Sequence, residues 1–143
     1  MLTSSSFYST YVKLADDLTP PELAADPKLG PFLKHCRGAI DGSHINYYAL
    51  KDEIARCRDR KGNISQNVLI AADWKGQILY CLPGWEGSAN DGLLWNHASR
   101  NGLELPKGQY FLADAGFTSC DALLVPYRAT RYHLKEFARG NTR

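Results

Sequence analysis

At 143 residues the chain is long enough to bury one sizeable core and too short for two. Its 44% hydrophobic and 22% charged residues are ordinary for a soluble globular protein, which excludes a low-complexity or disordered chain. The formal net charge of +2 does not by itself argue for nucleic acid, although uneven charge can still make a local patch.

The first 31 residues read as an irregular segment. Thr19-Pro20-Pro21-Glu22 opens a short helix with Pro21 in its first turn, and Asp26-Pro27 and Gly30-Pro31 break the chain again. From Phe32 an apolar run leads into GAID at 38–41, and Ile45 to Leu50 follows. This predicts two short strand-like runs with Asp41-Gly42 between or within them. Residues 51–62, KDEIARCRDRKG, are polar and rich in cations. Ile64 to Asp73 and Gln77 to Leu82 predict two strands joined by the hairpin turn Asp73-Trp74-Lys75-Gly76.

Pro83-Gly84-Trp85-Glu86-Gly87 reads as a loop. Ser88-Ala89-Asn90-Asp91 fits a capping box, with Asp in place of the usual Glu, ahead of a helix that Asn101-Gly102 ends. Gln109 to Ala113 is a compact apolar strand that stops at Asp114-Ala115-Gly116-Phe117. The order is strand, strand, strand, helix, strand, which predicts an α/β domain with a mixed sheet whose first three strands form a meander.

Cys36, Cys57, Cys81 and Cys120 have no CxxC or Cys/His spacing, which argues against a zinc ribbon. MLTSSSFYST lacks a charged stretch followed by an apolar one, so no signal peptide is expected. No apolar run approaches the roughly 18 residues of a membrane helix. These features point to an intracellular chain with reduced thiols and no membrane partner.

Asp41 and Asp114 share a context: an apolar strand runs into an aspartate and a glycine follows within two residues. Two readings fit. Each aspartate is a turn residue, or the pair stands at strand ends, where open α/β sheets gather ligands. Two neighbouring carboxylates need a cation to offset their repulsion, and Mg²⁺ or Mn²⁺ suits such oxygen ligands. Asp91 has the readings of helix cap and dipole partner. His44 is either a helper beside Asp41 or a hydrogen-bonded structural residue. The cations Arg56, Arg58, Arg60 and Lys61 form either a solvated face or a phosphate-contacting patch.

Taken together, GAIDGSHI at 38–45, RKGNISQNVLIAADWKGQI at 60–78, PGWEGSANDGLLW at 83–95, YFLADAGF at 110–117 and PYRATRYHLKEF at 126–137 resemble the DDE-superfamily endonucleases of the PIF/Harbinger transposase group and their Harbinger-derived cellular relatives. The resemblance runs from Phe32 to Arg143. It implies an RNase H-like mixed sheet flanked by helices, and divalent-metal-dependent cleavage of DNA phosphodiester bonds with Mg²⁺ or Mn²⁺ as cofactor. It implies that Asp41 and Asp114 are catalytic metal ligands, with Asp91 a further ligand. Arg58, Arg60 and Lys61 become contacts to the DNA backbone, a separate DNA-binding protein a possible partner, and the nucleus the expected location.

This chain has Phe117 where the family typically carries tyrosine. The family's third catalytic carboxylate, a glutamate on a downstream helix, has no match before Arg143, because Glu136 belongs to a different motif. The domain is therefore expected to lack its final catalytic helix and to be incomplete at the C-terminus. A second expectation follows: a catalytically inactive transposase remnant that binds DNA or protein.

Overall fold

The longest strand among the described residues is buried at its start and exposed at its end, and between them Ile40 faces the core and Asp41 solvent. That strand, β1 (Cys36–Asn46), is the centre of a five-stranded mixed sheet. The computed structural model describes residues 20–59 and 61–128. Two one-turn helices come first, α1 (Pro21–Ala24) and α2 (Gly30–Leu33). Both carry proline in the first turn, where its missing N–H costs nothing. Gly30-Pro31 therefore starts a helical turn and does not interrupt the chain.

β2 (Ser65–Ala72) and β3 (Ile78–Glu86) complete an antiparallel meander with β1. β2 lies between two strands and is buried along most of its length, as its β-branched run requires. The β2–β3 turn is the expected one. Asp73 Oδ1 accepts the Lys75 and Gln77 N–H groups, both at 2.8 Å, and the Gly76 N–H donates to the Asp73 carbonyl at 3.1 Å. α3 (Asp91–Ala98) crosses back over the sheet, and β4 (Tyr110–Leu112) then pairs parallel to β1 on its free side. β5 (Leu123–Leu124) adds a parallel edge, giving the order β3-β2-β1-β4-β5. This is the α/β mixed sheet of the RNase H-like class expected from the sequence.

Leu94, Trp95 and Ala98 form the buried face of α3 and pack against β1, β2 and β3. With Ile40, Leu69, Phe111 and Phe117 they build one core. Each fully buried large side chain contributes about 1.5–3 kcal/mol of transfer free energy. Trp95 is thus a core residue, while Trp74 is tied down by Nε1 donating to the Cys36 carbonyl at 3.2 Å.

Three local expectations are corrected. Asp41 is not at a strand end: it is mid-strand, because its side chain takes the solvent face while Ile40 takes the core. Pro83-Gly84-Trp85-Glu86 is not a loop but the second half of β3. That strand is an edge, so Pro83 can lack an N–H, and the pairing slips between Asn67 and Leu69 to accommodate it. The helix cap is Asn90 and not Ser88. The Asn90 side chain accepts the Leu93 N–H at 2.9 Å, which makes Asp91 the first helical residue.

Candidate metal site

Parallel pairing of β1 with β4 sets the segments of the two aspartates at one level. Ala39 lies opposite Leu112, and Asp41 and Asp114 each follow two residues later on their own segments. Phe117, fully buried, plugs the turn after β4 into the core and leaves Asp114 exposed above it. Tyrosine at that position would have to find a partner for its hydroxyl, which the apolar surroundings of Phe117 do not require.

Asp91 reaches the same place from α3. A Cβ built at Gly42 would lie 2.2 Å from Asp91 Oδ1, and one at Gly116 would lie 2.9 Å from Asp91 Oδ2. The Asp91 carboxylate is therefore seated between the glycine after Asp41 and the glycine of the Asp114 turn. A side chain at either position would displace the Asp91 carboxylate. Asp91 and the Asp114 turn come together on the Gly42 face of the central strand, while Asp41, one residue earlier on β1, turns its side chain to the other, solvent face.

They do not close into a cage. Asp41 Oδ1 accepts its neighbour Gly42's N–H at 2.8 Å, and Asp114 Oδ1 accepts the Gly116 N–H at 2.7 Å. Among the described residues no three His, Cys, Asp or Glu side chains gather as metal ligands. The donor set nonetheless fits a hard divalent cation: carboxylate oxygens on a solvent-facing surface, with two glycines leaving room for the third acid.

His44 takes the structural reading, with Nδ1 3.0 Å from the hydroxyl of the buried Ser65. Arg58 and Lys61 are exposed, in a tight loop beyond the Asn46–Ser65 end of the β1–β2 pair. That is about 17 Å along β1 from Asp41 at strand spacing. Arg58 donates to the Gly62 carbonyl at 2.8 Å. Arg60 lies outside the described residues. Burial pushes the Asp59 carboxyl in this loop up, but N–H donors from Asn63 and Lys61 outweigh it and hold it below the usual carboxylate value. Arg56 is engaged by Glu53 at 2.6 Å and Glu86 at 3.8 Å. Arg128 donates to the carbonyl of Phe117, three residues after Asp114, at 3.1 Å.

Two features escape sequence reasoning. Trp85 meets His97 edge-on, with ring centroids 5.1 Å apart, and lines an open groove with Glu86, Ser88, Asn90 and Leu93 beside the start of α3. Asn67, in the middle of β2, is 1% exposed next to the Asp91 carboxylate. A polar residue inside an apolar strand was its only signal.

Residues 40–142 match the family described as DDE superfamily endonuclease. "Protein ALP1-like" from Arabidopsis thaliana is 29% identical over 67% of this chain and 28% of its own length. "Putative nuclease HARBI1" from Rattus norvegicus is 29% identical over 67% of this chain and 31% of its own length. The chain thus spans less than a third of the curated relatives it matches. No solved structure matches it. The match over most of the chain, joined to the five-stranded mixed sheet, makes this chain a member of the DDE endonuclease superfamily.

Proposed function

We propose that this chain forms the metal-binding part of a transposase-derived nuclease that cleaves DNA phosphodiester bonds. The carrying observation is the Asp91 carboxylate seated between Gly42, the residue after Asp41, and Gly116, in the turn of Asp114. Asp41, Asp91 and Asp114 would hold Mg²⁺ or Mn²⁺, whose chemistry is to activate water and stabilise the leaving oxygen. The rest is done by the chain itself. β1 and β4 fix Asp41 and Asp114 at one level, and α3 delivers Asp91 with Asn90 setting the helix start. Arg128 offers a cation to a phosphate beside the Asp114 turn, and Arg58 and Lys61 meet the backbone further along the duplex. Arg60 belongs to the same expectation. A nuclear location and a separate DNA-binding partner complete the proposal.

Calorimetric titration of Mn²⁺ into wild type, Asp41→Ala and Asp114→Ala, with nicking of supercoiled plasmid DNA, tests it. Binding and nicking lost in both variants support the nuclease. A folded wild type that neither binds Mn²⁺ nor cuts is instead the binding remnant, and DNA mobility shift then separates a DNA partner from a protein one.

A further inference from the structure

Asn67 lies on β2 opposite His44 of β1 and Trp85 of β3. Its amide is oriented by one contact: Nδ2 donates to the Ala89 carbonyl at 3.1 Å. The flipped amide would set two carbonyl oxygens against each other, so Oδ1 points away from Ala89. That oxygen is buried and has no hydrogen-bond partner among the described residues. What stands beside it is another acceptor. A Cβ at Gly42 would lie 3.2 Å from Asn67 Oδ1 and 2.2 Å from Asp91 Oδ1.

Two acceptor oxygens packed over one glycine gain nothing from each other, and a buried carbonyl oxygen needs a positive partner. We propose that Asn67 Oδ1 is a neutral oxygen ligand for the divalent cation that Asp91 holds, an inference resting on the nuclease reading above. Carboxamide oxygens suit hard divalent cations. A neutral donor also adds an oxygen without placing a further carboxylate beside Asp91. The same amide grips the main chain two residues before Asp91, so one side chain both supplies an oxygen and holds its neighbour in place.

The test is Mn²⁺ alone, titrated into the full chain and followed by calorimetry and by melting with and without the ion. Asn67→Leu removes the oxygen at similar size and weakens Mn²⁺ binding about 10- to 100-fold. Asn67→Asp replaces it with a stronger donor that repels Asp91 when no ion is present. It melts below wild type without Mn²⁺ and is raised more by Mn²⁺ than wild type is. Because the second readout is a difference within one variant, it stands even if Asn67→Leu does not fold. Wild-type affinity in folded Asn67→Leu, or an ion-induced rise in Asn67→Asp no larger than wild type's, overturns the assignment. If Asp41→Ala and Asp114→Ala lose Mn²⁺ while the Asn67 variants keep it, Asn67 alone is misassigned. If wild type binds no Mn²⁺, both readings fall.

Discussion

Replacing Gly42 by alanine probes the site through packing alone. The new Cβ would sit 2.2 Å from Asp91 Oδ1 and 3.2 Å from Asn67 Oδ1, about 1 Å inside an ordinary carbon–oxygen contact in the first case. The obstacle is the tip of a side chain and not backbone, so the chain relieves it by turning Asp91 aside. The stability cost then lies at the low end of the ~1–3 kcal/mol for overpacking, a drop of several degrees in Tm. The larger loss is functional: with Asp91 displaced, Mn²⁺ affinity falls about tenfold or more. Gly92, next to Asp91, is the control. A Cβ there meets Asn90 Oδ1 at 3.5 Å and Thr118 Oγ1 at 3.9 Å, both ordinary contacts. Gly92→Ala in the first turn of α3 is neutral or stabilising, by up to ~1 kcal/mol from helix propensity. Calorimetry with Mn²⁺ and thermal melts on both variants read the contrast. A Gly42→Ala protein that binds Mn²⁺ like wild type would show that Asp91 is not lodged against β1, and the site's construction would be wrong.

Gly38→Ala is the most damaging glycine change: φ is +138° and the Cβ would lie 2.0 Å from the Ala72 carbonyl, a backbone atom that cannot turn away. Soluble yield and circular dichroism should show loss of the folded state. Phe117→Ala removes a fully buried ring and costs about 3–5 kcal/mol. Denaturant melts measure it, and greater protease cleavage near Asp114 reports the loosened turn. Below pH ~4, stability should fall partly through Asp59. N–H donors hold its folded value below the unfolded one, so its contribution is present above the ordinary carboxylate value and is lost as pH drops through the folded one. Asp59→Asn should flatten the acid limb of a Tm-against-pH curve, and an unchanged limb refutes the assignment. Of the thiols, exposed Cys120 should react with Ellman's reagent first. Cys36 should react last, because it is buried and burial pushes its thiol up.

The sheet was legible where residues speak locally. The Asp73–Gly76 turn, the β-branched run of β2 and the apolar face of α3 each carry their own geometry, and the order of elements follows. The misreadings share a cause: local signals were taken as boundaries that tertiary pairing overrides. A charge at Asp41 looks like a strand's end until the strand is known to have a wet face. Pro83 looks like a loop until β3 is known to be an edge. Asp91 drew attention as a cap, while the capping atom belongs to Asn90. The aspartates at 41 and 114 were recognisable by their repeated context, but their shared level depends on the β1–β4 register. Asn67 was out of reach because its meaning lies in a neighbour, Gly42, on another strand.

The parallel pairing of β1 with β4 also governs when the acidic face comes into being. β1, β2 and β3 follow one another in sequence as antiparallel neighbours, so their pairing needs no element downstream of Glu86. β4 must wait until α3 has crossed the sheet. Asp41 is therefore made early and stays without its parallel neighbour until the chain has been synthesised past Asp114. Under the nuclease proposal, ion binding would be a late event of synthesis, because Asp41 gains its parallel neighbour only then.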